Sequence, residues 1–293
     1  TNGVISTFIG TGTAGFSGDG GAATSAKISY PEGILVHNNS YYLPDSNNSR
    51  IRKIDSDGVI TTIAGSEIYN GDNIPESEAR IQLPRNMVMD KNDNLYIAEQ
   101  QGHRIRKIDA NGIITTIAGT GEAGYSGNGG AATSAEISNP RGITIDNTGI
   151  IYFSDTGNER IRKIDTNGII TNYAGDGTSG LNTTSNASQA KLNFPYSLAT
   201  DKSGNVYFAD YGNSIIRKID KNGVITNSTS LYKDHISNIL SLTCVDIDKS
   251  KIDQLNNKKI PIYEPGLSDI VTQTTSNGSL KFSIDIKKSI QDS

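Results

Sequence analysis

Pro140-Arg-Gly-Ile-Thr-Ile-Asp146, Gly149-Ile-Ile-Tyr-Phe-Ser-Asp155, Arg160-Ile-Arg-Lys-Ile-Asp165 and Gly168-Ile-Ile-Thr-Asn-Tyr-Ala-Gly175 follow one another with only turn residues between them. Each is short, rich in Ile, Tyr and Thr, and bounded by Asp, Asn or Gly, which is how strands joined by tight turns read. Asn-Gly and Asp-Gly supply the positive φ of a hairpin. The stretch therefore predicts a four-stranded antiparallel meander, with strands a to d in that order.

The meander recurs. Arg-Ile-Arg-Lys-Ile-Asp begins at Arg50, Arg104 and Arg160, and Ile215-Ile-Arg-Lys-Ile-Asp220 is a fourth copy. Arg52, Arg106, Arg162 and Arg217 are spaced by 54, 56 and 55 residues. Repeated four-stranded units stacked around an axis make a β-propeller. The expected fold class is all-β, a propeller of five to six blades, held in this chain either as a closed ring or as part of a longer array. Residues 1–230 hold the blades, in units of about 3–57, 58–111, 112–167 and 168–222. Residues 231–293 are either a degenerate closing blade or a C-terminal extension, with 236–246, 251–255, 259–264 and 279–285 as weak strand candidates. Residues 3–10 read as a strand d that precedes the first full unit. Blades that pack on both faces explain why strand c carries two Ile three apart instead of a strict alternation.

The period exceeds the usual propeller blade by about 15 residues. The excess lies in the connector from strand d to the next strand a. Gly10 to Ala26 is repeated almost letter for letter by Gly119 to Ala135, with Tyr125 for Phe16. Tyr69 and Leu181 take the same position in the second and fourth units. These connectors, with Pro140-Arg-Gly-Ile, the run from Tyr152 to Asp165 and Asn167 to Gly175, resemble the NHL-repeat family of six-bladed propellers, and its teneurin-type subgroup in particular. The resemblance covers about residues 3–230. It implies an NHL-type propeller, and a cell-surface or extracellular setting. It says little about activity, because a fold hosts many functions.

Composition narrows the function. Of 293 residues, 27 are Lys or Arg and 31 are Asp or Glu, a net charge of −4. That argues against a protein whose main work is neutralising a phosphate backbone. No apolar run reaches the length of a membrane span. A lone Cys244 forms neither an intrachain disulfide nor a Cys-based zinc site. The three histidines, His37, His103 and His235, fall at different places in the repeat, so no metal centre and no cofactor is expected. Asp19, Asp72, Glu76 and Glu78 lack the spacing of a calcium loop and read as solvated carboxylates. Asn-x-Ser/Thr triplets at Asn38, Asn47, Asn182, Asn186, Asn227 and Asn277 are about as many as chance places in so Asn-rich a chain, and decide nothing.

The candidate binding face is the end of the propeller where the b–c turns and the connectors open. It carries Asp45, Glu99, Asp155 and Asp210 at the turn starts. The bland reading of these acids is that they accept hydrogen bonds from turn amides, with the following Asn left-handed. Binding function lies more often where repeats differ, which singles out Glu99, Gln100, Gln101 and His103 in the second unit and Tyr211 in the fourth. Phe16, Tyr69 and Tyr125 read either as an aromatic platform or as anchors of their own connectors. The recurrent Arg52, Arg106, Arg162 and Arg217 read as ion-pair partners of strand b rather than as a basic rim. The function expected is a non-enzymatic interaction module that displays a protein- or glycan-binding face, within a larger protein. The alternatives are a propeller-type lyase or hydrolase, which needs convergent acids or histidines, and an RNA-binding domain, which needs a continuous basic face.

Overall fold

A computed structural model describes residues 5–65 and 71–227. Four antiparallel sheets follow one another along the chain. The first contains β1 (Gly21–Ala22), β2 (Leu35–His37), β3 (Ser40–Asp45), β4 (Arg50–Ile54) and β5 (Val59–Ala64). The second contains β6 (Ile74–Pro75), β7 (Pro84–Met89), β8 (Leu95–Glu99), β9 (Arg104–Ile108) and β10 (Ile113–Ala118). The third is β11 (Pro140–Ile145), β12 (Ile151–Asp155), β13 (Arg160–Ile164) and β14 (Ile170–Ala174). The fourth is β15 (Pro195–Thr200), β16 (Val206–Asp210), β17 (Ile215–Ile219) and β18 (Ile225–Asn227). Each holds the expected four-stranded blade, to which β1 and β6 add a short fifth strand in the first two sheets, and the fold is an all-β propeller.

The turns form for local reasons. Asp165 Oδ1 accepts from the amides of Asn167 and Ile169, both at 2.9 Å, and Gly168 takes φ 77°. Asp55, Asp109 and Asp220 repeat the arrangement. A side-chain oxygen that mimics a backbone turn, followed by a residue free to adopt positive φ, closes the hairpin. At the a–b turns, Asp90, Asp146 and Asp201 do the same and also accept from the hydroxyls of Tyr96, Tyr152 and Tyr207.

The cores lie between sheets. Ile105 of β9 packs into a cluster with Ile143 and Phe153 of the third sheet, whereas Ile108 packs with Ile51 and Ala64 of the first. Ile161 likewise joins Leu198 and Phe208 of the fourth sheet, and Ile164 joins the second. Residues three apart on a strand point to opposite faces, so one Ile of each strand c serves each neighbour. Ile216, the counterpart of fully buried Ile161, is 41% exposed, and no described sheet lies against it.

One expectation needs correction, and the connectors add a feature of their own. Residues 5–10 form no strand, because no described strand pairs with them; Phe8 instead meets Tyr41 edge-on at 4.6 Å. The connectors are not plain loops. Each returns to the outer edge of the next blade, as β1 on β5 and β6 on β10, or as single bridges at Ala131–Ile169 and Asn186–Val224. This covers an edge that would otherwise expose unpaired amides. Gly127 is required there: a Cβ would lie 2.7–2.8 Å from Ala135. The strand candidates in 231–293 lie outside the described residues.

Candidate binding face

The b–c turns and connectors do share one end of the blades. Asn48, Asn158 and Asn213 each donate at 2.7 Å to a connector carbonyl, of Gly15, Gly124 and Gly180. The left-handed residue is the next one, Ser49, His103, Glu159 or Ser214, not the Asn. The Asn is kept out of that conformation because its amide bridges the turn to the connector.

The acids that open these turns are interior groups. Asp45, Asp155 and Asp210 are fully buried. Asp155 accepts from the Ser138 amide at 2.6 Å, from Asn158 at 2.8 Å and from Arg162 at 3.3 Å. Asp45 and Asp210 repeat the set with Arg52 and Arg217. Burial raises the Asp155 pKa to about 6 against these hydrogen bonds. Glu99 is also buried, and its carboxylate lies 3.6 Å from Arg106. As candidates for contact with a partner, these four acids are therefore corrected: they hold the blade together and offer no surface. The four arginines are buried with them, which removes the basic rim that RNA binding would need.

Phe16 and Tyr125 anchor their connectors. The Arg50 guanidinium lies 3.9 Å from the Phe16 ring centroid and that of Arg52 at 4.9 Å; Arg160 and Arg162 cover Tyr125 at 3.9 and 4.8 Å. Both rings thus serve as anchors, each held against two arginines of its own blade, while 42% of Phe16 and 40% of Tyr125 stay exposed. Tyr69 lies outside the described residues. Asp19 and Asp72 are ion-pair partners of Arg52 and Arg106, at 2.8 and 3.0 Å. His103 is half-buried at φ 47°, and its Nδ1 accepts from the Asn139 amide at 3.1 Å. Burial lowers its pKa, in keeping with a neutral ring that accepts. Glu159 makes the matching clasp to the Phe194 amide at 2.6 Å. His103 thus joins the second blade to the third. Gln101 is exposed. His37 sits at the other end of the blade, 2.5 Å from Asp93, in a cleft of about 360 Å³ between the first and second blades, also lined by Lys53 and Glu76.

Gln100 and Tyr211 belong to a surface feature that the sequence reading did not assemble. Each strand a begins at or near a proline, and the residue before it is left-handed: Tyr30, Leu83, Asn139 and Phe194, with φ 50–52°. The residue after it takes three identities in the four blades: Glu32, Arg85, Arg141 and Tyr196. β7 lies against β11, and β11 against β15, so these residues form one row along the inner edges. The approach is close enough that a Cβ on Gly142 would collide with the Tyr196 carbonyl. Along the row, Arg85 pairs with Glu32 and donates to Gln100. Burial lowers the Arg85 pKa; Glu32 opposes the shift and Arg141 adds to it. The Arg141 guanidinium lies 4.1 Å over Tyr196, and Tyr196 stacks on Tyr211 at 4.5 Å with 7° between the planes. Tyr30, Phe194 and Tyr211 are 68%, 50% and 63% exposed at this end. The signal was present in the sequence: the position after each proline varies while its surroundings repeat.

The Teneurin NHL domain family profile matches residues 11–73 and 120–184. A UDP-glucose/GDP-mannose dehydrogenase family, NAD binding domain profile matches residues 223–293. Its glycine-rich turn needs G-x-G-x-x-G, and the glycines of that stretch, Gly223, Gly266 and Gly278, do not form it. Among the described residues no strand–helix–strand unit stands ready for a dinucleotide either. The residues do not fit NAD. Mouse Teneurin-4 is 29% identical over 247 residues, 74% of this chain and 9% of that protein. Chicken Teneurin-1 is 28% identical over 301 aligned positions, 89% of this chain and 11% of that protein. The chain therefore spans about a tenth of the length of these relatives. In structure, a putative phosphatase from Bacteroides thetaiotaomicron aligns with a TM-score of 0.53 at 17% identity, over 68% of this chain and 49% of that one, a likeness of fold alone. With the 55-residue repeat, the four antiparallel blades and the matched connectors, the chain is a β-propeller whose similarities support the NHL-repeat family and are greatest to the Teneurin NHL domain.

Proposed function

We propose that the blades form a non-catalytic recognition module, displayed at a cell surface or outside the cell as part of a larger protein, that binds a protein or glycan partner through the end bearing the b–c turns. The observation that carries this reading is the row from Glu32 to Tyr211. It sets three exposed aromatic residues beside two arginines on a rigid inner edge. Aromatic and Arg side chains are the residues that dominate binding hot spots, and a rigid scaffold lowers the ordering cost of presenting them. The similarity to Teneurin NHL domains supports a propeller used for display.

The test uses the full chain, biotinylated and tetramerised on labelled streptavidin, and measures staining of cultured cells. The Tyr211→Asp, Phe194→Asp double variant should keep the wild-type melting temperature within a few degrees and lose most of the staining. Equal staining by a folded variant overturns the assignment of this face.

A further inference from the structure

The inner-edge row has a charge imbalance that selects a partner. Arg85 is matched by Glu32. Arg141 has no carboxylate within 4 Å among the described residues, and its recorded contact is the Tyr196 ring. A cation–π contact engages the face of the guanidinium charge and consumes none of its five N–H donors, which can still meet a carboxylate as a fork. The two arginines with Glu32, Asn86, Tyr196 and Ser197 line a niche of about 30 Å³. That is room for a group the size of a carboxylate or a pair of waters, and not for a sugar ring. Immediately beside it, Tyr211 offers an exposed ring and Phe194 a second apolar surface.

Resting on the reading of this end as the binding face, we propose that the niche takes a carboxylate from an acidic protein segment. Arg141 holds the carboxylate, Arg85 assists, and Tyr211 and Phe194 receive an adjoining apolar or aromatic side chain. The charge match is local: one surplus cation in a chain of net charge −4 suits a single carboxylate. A polyphosphate needs a track of cations, each releasing a counterion, and Arg52, Arg106, Arg162 and Arg217 are buried and unavailable for one. A fork-to-carboxylate contact flanked by rings is short, oriented and desolvated, which is what makes a charged hydrogen bond strong.

The experiment measures binding of the full chain to a random copolymer of glutamate and tyrosine by biolayer interferometry. Poly-glutamate, polysialic acid and poly(U) run in parallel. The copolymer should bind more tightly than the other three, and binding should weaken as salt rises. Arg141→Ala should weaken it about tenfold or more, and Arg141→Lys by a smaller factor, since an ammonium keeps the charge but loses the fork. Glu32→Gln removes the competing carboxylate and should tighten binding about two- to fivefold. This gain keeps the test informative if Arg141→Ala unfolds. Copolymer binding unchanged by Arg141→Ala and Glu32→Gln overturns the proposal, as does no copolymer binding at all. Preference for polysialic acid or for poly(U) also overturns it, assigning the row to a glycan or to RNA. These results leave the cell-staining test untouched, so failure of the carboxylate site and failure of the binding-face reading are separable.

Discussion

In the third blade the buried Arg162 lies 3.3 Å from Asp155, whose carboxylate is also held by Asn158 and the Ser138 amide. In the second blade the buried Arg106 lies 3.6 Å from Glu99 and 3.0 Å from Asp72. Two further substitutions go with the exchange of acid. Gly102 replaces the Asn, and a Cβ there would collide with the Glu99 carboxylate. Asn128 of the third connector replaces the outer acid that Asp72 supplies in the second. The longer Glu99 side chain thus fills the space of the missing Asn, and the arginine's nearest counter-charge moves to the connector. The same buried cation is neutralised from strand b in one blade and mainly from the connector in the other.

The largest expected effect comes from breaking the third-blade version. Asp155→Ala leaves Arg162 buried with no carboxylate partner and should cost about 3–5 kcal/mol, measured as the shift in urea unfolding of the full chain. A loss below about 1 kcal/mol would mean that the buried pair is dispensable. Next is the Glu–Gly exchange. Gly102→Asn alone should destabilise by about 1–3 kcal/mol through overpacking, and adding Glu99→Asp should recover most of the loss. Additive costs would show that the two positions are not coupled.

A smaller effect is pH-dependent. Burial raises the Glu99 pKa to about 7; Arg106 and Arg104 oppose the shift, and Asp72 adds to it. An unfolded Glu ionises near 4.5. Between these values the folded chain holds a proton that the unfolded chain has released, so raising the pH favours unfolding. The Glu99 contribution to stability should fall by about 1–2 kcal/mol between pH 5 and 7. Glu99→Gln should flatten that part of the profile, and Asp72→Asn should move it to lower pH. A wild-type minus Glu99→Gln difference that is independent of pH would reject the assignment. The smallest effect concerns the outer clamp that the first and third blades share. Tyr125→Ala removes the cation–π contacts of Arg160 and Arg162 at a partly exposed site. It should lower stability by about 0.5–1 kcal/mol and leave copolymer binding at Arg141 unchanged.

The repeat, the strand order and the turns were legible because each depends on residues within one unit: Asp165 finds its amides two and four positions away. The double Ile of strand c was legible by parity alone. The pairing of Asp45, Asp155 and Asp210 with Arg was legible as a recurrent acid opposite a recurrent cation; their full burial was not, since a turn-opening acid reads equally well as surface. Other features were not. A sequence string does not say that Asn158 reaches Gly124, or that the left-handed φ falls on Glu159. Nor does it show that Glu99, chosen because it departs from the repeat, departs in order to fill the gap at Gly102.

The sequence by itself determined the repeat, the meander in each unit and the faces of each strand, since hydrogen-bond ladders and side-chain alternation are local. Only the tertiary structure decided which variable positions meet. Arg141, Tyr196 and Tyr211 come from the strand starts and a turn of two different blades, and they form one stack because neighbouring inner strands approach closely at Gly142. That approach is set by the packing of whole sheets, and no property of a single 55-residue unit contains it.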